Sequence, residues 1–221
     1  SSANNWDVDR NLESTDWVHI GPFSESNSPL VNSGVDSTVY KLFIGKFVAG
    51  EAFLTMTGGN LSCITDLILG DYEQASGTFT LSGGDVNAQN IEIGRYGTGI
   101  LDMNNGTLDI ETDLILGDYE QASGTFNLSG GDINVQNIEV GRYGTGVLGM
   151  NNGTIDVEAD LILGNYEQSD GIFNFRGGDV NVQNIEVGHY GTGILNMDGG
   201  IIDVNGTFYI PKSVVKDTGS G

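Results

Sequence analysis

The chain has 221 residues, of which 35 are glycine, only 3 are proline and one is cysteine. Thirty acidic side chains against eight basic ones give a formal charge of −22, which repels nucleic acid and anionic membranes and argues against both as partners. The single Cys63 excludes an internal disulfide, and no apolar run is long enough to cross a bilayer.

Residues 1–40 are the least regular part and hold both tryptophans, Trp6 and Trp17, among Asp, Asn and Ser. This segment reads as an N-terminal cap plus one degenerate coil, because the open end of a stacked β-structure has to be covered. A ligand site built from the two tryptophans is the alternative. A regular pattern then occupies residues 41–212. Its marker is a glycine two residues before an aromatic, first seen in the degenerate coil at Gly21 and then at Gly45, Gly70, Gly94, Gly117, Gly141, Gly164 and Gly188. Pro211 stands where a ninth glycine is due. Residues 213–221 read as a linker or tail.

The clearest stretch, residues 67–113, is repeated by 114–160 with nine differences in forty-seven positions, and a third copy opens at Leu161. Each copy splits again: Leu67-Ile68-Leu69-Gly70-Asp71-Tyr72 is answered by Ile91-Glu92-Ile93-Gly94-Arg95-Tyr96. The unit is 23 or 24 residues long, and odd and even units differ by a short insertion after the glycine. Within a unit three short runs alternate apolar and polar residues with period two, for example Leu67/Leu69, Phe79/Leu81 and Val86/Ala88. That is the strand signature, and glycines fall where the chain has to turn. Three strands and three turns per unit predict a single-stranded parallel β-helix (a β-solenoid) of about nine coils. At the usual strand spacing its rod is roughly 40 Å long, with right-handed crossovers as the default. The predicted interior includes Leu69, Phe79, Leu81, Val86, Ile93, Leu101, Met103, Leu116, Phe126, Leu128, Val140, Phe173 and Leu195. Cys63 falls in the same register as a small core filler.

Stacking sets equivalent residues of successive coils side by side. The residue after each marker glycine runs Lys46, Asp71, Arg95, Asp118, Arg142, Asn165, His189, Lys212, an alternation of sign that fixes register and is worth little where exposed. Next comes an aromatic column: Phe23, Phe47, Tyr72, Tyr96, Tyr119, Tyr143, Tyr166, Tyr190. It is either a stacked structural ladder or a platform for sugar rings. Glu73, Glu120 and Glu167 follow it at every second coil. Asn87, Asp109, Asn134, Asp156, Asn181 and Asp203 form a further outward column. Its carboxylates Asp109, Asp156 and Asp203 are the candidates for Ca²⁺, although no Asp-rich loop of the calcium-repeat kind is present.

Catalytic constellations are absent from the sequence. Glycoside hydrolysis needs two carboxyls at a defined separation, one with a raised pKa. Here the recurrent acids obey the repeat, whereas a site normally breaks it. No Ser/His/Asp or Cys/His set, metal-spaced His pair or phosphate loop occurs, so no enzyme is expected.

The runs Leu114-Ile115-Leu116-Gly117, Gly124-Thr125-Phe126-Asn127-Leu128-Ser129-Gly130-Gly131 and Ile138-Glu139-Val140-Gly141-Arg142-Tyr143-Gly144-Thr145-Gly146 resemble the glycine-rich β-helix repeats of bacterial secreted and surface proteins. These are the repeats of autotransporter-associated or PEP-CTERM-sorted type. The opening Asn5-Trp6-Asp7-Val8-Asp9 is similar to the usual start of such regions. The resemblance implies an extracellular or cell-surface setting, as part of a larger multidomain protein. The expected function is a non-catalytic module for polysaccharide binding or adhesion, taking a polysaccharide, preferably neutral, through Tyr72, Tyr96, Tyr119, Tyr143, Tyr166 and Tyr190 with Glu73, Glu120 and Glu167. Alternatives are a passive spacer and a polysaccharide lyase or hydrolase.

Overall fold

The computed structural model describes residues 13–21, 29–46 and 49–211, and every regular element in it is a β-strand. Trp6, Phe23, Phe47, Lys212 and the tail lie outside these residues. In chain order the strands are β1 (Trp17–Ile20), β2 (Leu30–Val31), β3 (Asp36–Val39), β4 (Lys41–Ile44), β5 (Gly50–Leu69), β6 (Ala75–Ile93), β7 (Thr98–Met103), β8 (Thr107–Leu116) and β9 (Ser123–Leu128). They continue as β10 (Asp132–Val140), β11 (Thr145–Met150), β12 (Thr154–Leu163), β13 (Asp170–Phe175), β14 (Asp179–Val187), β15 (Thr192–Met197), β16 (Ile201–Val204) and β17 (Phe208–Tyr209).

All pairings are parallel, and each strand bonds to its equivalents one coil before and one coil after, so the chain is a parallel β-solenoid. Three ladders run along it. Phe79, Leu101 and Phe126 lie in register on the first, Val86, Leu108 and Ile133 on the second, and Ile93, Leu116 and Val140 on the third. The third ladder begins at β1 and ends at β17, one rung beyond the other two, which gives about eight turns. β5 and β6 pass through two corners without a break and contribute to all three ladders.

The core is the inward half of each alternation. Phe79, Leu101, Phe126, Leu148 and Phe173 are fully buried, stacked one per coil. Every residue of the predicted interior is buried except Leu195, which is half-buried in the last first-ladder rung, where no further coil covers it. Cys63 is buried as well, and burial pushes its thiol up to about 12, so it is chemically quiet.

Two glycines, the marker Gly70 and Gly124 at the start of β9, show how little room the winding leaves. Gly70 sits at φ +68°, a left-handed turn that a β-carbon strains, and a Cβ there would come within 2.3 Å of the Thr98 carbonyl oxygen. At Gly124 the obstacle is spatial alone, since a Cβ would lie 2.1 Å from the Ile93 oxygen. The corner at Gly70 and the strand start at Gly124 therefore leave no room for a side chain.

Candidate functional site

The turn after each marker glycine puts the charged column and the tyrosines on one edge of the rod. The charged column is not the exposed ladder its sequence suggests. Asp71 and Asp118 have side chains only 8% and 9% accessible. Lys46 reaches Asp71 at 3.3 Å, Arg95 reaches Asp71 at 3.4 Å, and Arg142 reaches Asp118 at 3.2 Å. Each arginine pairs back to the preceding coil, and among the described residues none bridges forward to the next. Instead Arg95 turns sideways to Glu92, at 3.0 Å, and Arg142 to Glu139, at 3.5 Å. His189 contacts Glu186 in the same way.

These glutamates are not equivalent. Glu139 accepts a hydrogen bond of 2.6 Å from the Asn165 amide of the following coil. At the same place above Glu92 stands Asp118, which cannot donate when ionised. The Glu92 Oε2 and Arg95 Nε are close but misaligned, and both are shut off from solvent without a hydrogen-bond partner. Burial, reinforced by Asp118, outweighs the pull of Arg95 and raises the Glu92 carboxyl to about 7. Burial raises Asp118 too, against the opposing pull of Arg142.

The tyrosines neither form one continuous stack nor stand free. Tyr96 stacks on Tyr119 with ring centroids 4.1 Å apart, and Tyr143 on Tyr166 at the same distance. The neighbouring hydroxyl in each pair raises the phenol pKa of Tyr96 and Tyr143. Among the described residues no ring contact joins Tyr72 to Tyr96, Tyr119 to Tyr143, or Tyr166 to Tyr190. All six rings are exposed, Tyr190 the most at 68%. Between the two pairs lies a cavity of about 550 Å³, lined by Tyr96, Asp118, Tyr119, Glu120, Arg142 and Tyr143. The guanidinium of Arg142 lies 6.0 Å from the Tyr143 ring, on the floor of that space. Glu73, Glu120 and Glu167 are exposed, as their outward register requires.

The calcium candidates are held apart. Asn134 donates to Asp109 at 2.6 Å and Asn181 to Asp156 at 2.7 Å, and Asn181 stands between Asp156 and Asp203 in the same column. Among the described residues no group of three or more His, Cys, Asp or Glu side chains is placed to hold a metal ion. Asp109 instead lines a second cleft, of about 530 Å³, whose floor includes Ala88, Ile110 and Val135.

Two features escaped the sequence reading. A second Asp/Asn column (Asp66, Asn90, Asp113, Asn137, Asp160, Asn184) fills the corner between the second and third strands. Its amides donate to the carboxylate of the preceding coil at 2.8–3.0 Å. Their oxygens accept from backbone N–H groups of the next coil. The same alternation of Asp and Asn was present in the sequence to be read. At the N-terminal end Trp17 stacks on Tyr40 at 6.1 Å and Lys46 lies 3.1 Å over Phe43, an aromatic group assembled from two coils. Trp6, the other half of the two-tryptophan site that the sequence offers as an alternative, lies outside the described residues.

No family model, curated protein or solved structure matches the chain.

Proposed function

We propose that this protein is a non-catalytic, extracellular or cell-surface β-solenoid module that binds a neutral polysaccharide along its tyrosine edge. The observation that carries this reading is the row of six exposed tyrosines, one per coil from Tyr72 to Tyr190, with a glutamate beside every second one. Tyrosine offers an apolar face and a polar tip, and a carboxylate accepts hydrogen bonds from sugar hydroxyls. A polymer lying along the axis meets the same groups repeatedly, so contacts that are weak singly add through avidity. The charge of −22 disfavours sulfated and uronate chains.

The second reading is a passive spacer, favoured by the stacking of Tyr96 on Tyr119 and Tyr143 on Tyr166, which spends half of those ring faces on the protein itself. Affinity electrophoresis through gels containing soluble neutral and acidic polysaccharides, with and without Ca²⁺, separates the two. Retention of the wild type that is weakened when Tyr119 and Tyr143 are both replaced by alanine supports binding. A wild type unretarded by every polymer leaves the spacer.

A further inference from the structure

We infer that the tyrosine edge is a row of separate slots two coils apart, each taking one sugar ring, and that its ligand is a straight β-1,4-linked chain of neutral hexoses. This rests on the polysaccharide-binding reading above and adds the unit and the linkage. The starting point is the asymmetry of the tyrosine column. Ring pairs close at 4.1 Å between Tyr96 and Tyr119 and between Tyr143 and Tyr166. The intervening step, Tyr119 to Tyr143, has no ring contact and holds the cavity of about 550 Å³. Each of these two rings therefore has one face covered by its pair and one face turned to the slot.

The repeat places equivalent steps at Tyr72/Tyr96 and Tyr166/Tyr190, giving three slots. Their separation is two strand spacings, about 9.6 Å. Successive sugars of an extended β-1,4 chain are turned over relative to one another, so every second sugar presents the same face and edge. Two sugars of such a chain advance by nearly two rungs. An α-1,4 chain curls away from a straight rod and meets a slot at most once.

Slot chemistry selects a neutral hexose. The tyrosine rings bordering each slot offer apolar surface to the C–H groups of a pyranose and hydroxyl tips to its hydroxyls. Glu120, exposed at the rim, has its carboxylate available to hydroxyl donors. Arg142, the one cation present, is already held by Asp118 and Glu139, so it adds little attraction for an anionic sugar. The outer slots vary the theme: Tyr72/Tyr96 repeats the lining with Glu73 and Arg95, while Tyr166/Tyr190 has Glu167 and His189. There the His189 ring packs edge-on against Tyr190, at 4.2 Å.

The test is calorimetric titration of the full chain with cello- and manno-oligosaccharides of two to eight sugars, and with malto-oligosaccharides as the α-linked control. Slots two sugars apart predict affinity that rises in steps, at three sugars and again at five, by about tenfold each. Replacing Tyr119 and Tyr143 by alanine removes the central slot, so the step at three disappears while the step at five, spanning the outer slots, remains. Phenylalanine at both positions keeps both steps. Smooth growth with every added sugar, a step at three that survives the alanine pair, or equal binding of malto-oligosaccharides overturns the slots while leaving polysaccharide binding in place. No binding of any oligomer, together with no retention by any polysaccharide gel, overturns both. Should the alanine pair fail to fold, nitration of the wild type by tetranitromethane decides. Saturating cellohexaose or mannohexaose must protect Tyr119 and Tyr143 but not Tyr209, and uniform nitration sinks the proposal.

Discussion

Phe126 and Glu120 sit six residues apart and show how sharply the coil divides its side chains. Phe126 is fully buried between Leu101 and Leu148 of the adjacent coils, whereas Glu120 projects from an exposed turn. Phe126→Ala should cost about 3–5 kcal/mol, because coils fixed by backbone ladders cannot close over the gap. Glu120→Ala should stay within about 0.5 kcal/mol. Urea melts compare them, and equal midpoints would show the register to be wrong. Glu92 is the residue with a pH signature. Its carboxyl is raised from 4.5 to about 7 in the fold, chiefly by burial. The folded state therefore holds a proton that the unfolded chain releases, and stability contributed by this group falls as pH rises from about 4.5 towards 7. The whole loss is about 3 kcal/mol at most. Glu92→Gln should abolish it, so the gap between variant and wild type should widen with pH across that window and level off above it. Asp118→Asn should shrink the same dependence by giving Glu92 the amide donor that Asn165 gives Glu139. A pH-independent gap between wild type and Glu92→Gln would refute the assignment.

At the scale of the strand and the corner, the molecule uses two kinds of interface in alternation. Between the coil holding β7 and β8 and the coil holding β9 and β10, four side-chain bonds run in one direction. Asn127 donates to Asp102, Asn134 to Asp109, Asn137 to Asp113 and Arg142 to Asp118. This interface carries the open slot. The next one along carries the stacked Tyr143–Tyr166 pair instead. The two bonds of Asn137 do different work from the one bond of Asn134. Asn137 is half-buried in the corner, donates to Asp113 at 3.0 Å and accepts from the Asp160 N–H at 3.3 Å, so its loss strands polar groups on both sides. Asn137→Ala should cost about 1–3 kcal/mol, and Asn134→Ala, on the exposed strand face, less than half as much. Chemical denaturation of the two variants measures this directly, and an equal cost would remove the corner role. The strands were legible because period-two alternation reports burial wherever one face is dry, as at Leu69, Phe79 and Leu81. It misleads where the outward face is covered as well. Ile68 and Ile115 point away from the core yet are buried, each set between neighbours of the same column: Phe43 and Glu92, and Glu92 and Glu139. The tyrosine column was legible as a column, but its pairing was not, because identical letters recur at every coil. Only the unequal insertions after Gly70 and Gly94 hinted that alternate coils present their rings differently.

For the whole rod the structural period is two coils, and this has a consequence that runs against size. Deleting residues 95–141 removes 47 residues and joins Gly94 to Arg142, which restores a junction the protein already contains at Gly141–Arg142. Asp71 then faces Arg142 as it faced Arg95, and Ile68, Glu92 and Ile162 keep the alternation of the outward column. Deleting residues 95–117 removes only 23 residues, yet brings Asp71 beside Asp118 and Glu92 beside Glu139, with Arg95 gone. Like charges at strand spacing, half-buried on this edge, are unfavourable, and here they occur in two successive interfaces. The inward residues are apolar in either case, so hydrophobic stacking does not distinguish the two chains. A solenoid's stability is close to a sum of coil and interface terms, so two good coils lost with no bad interface made should be tolerated better than one coil lost with bad interfaces made. The shorter protein, lacking 47 residues, should therefore unfold at the higher urea concentration in a single transition at pH 8. At pH 4, where the raised carboxyl of Glu92 is protonated, the difference should narrow. A one-coil deletion at least as stable as the two-coil deletion at pH 8 would mean that the side-chain columns do not set the register of the stack.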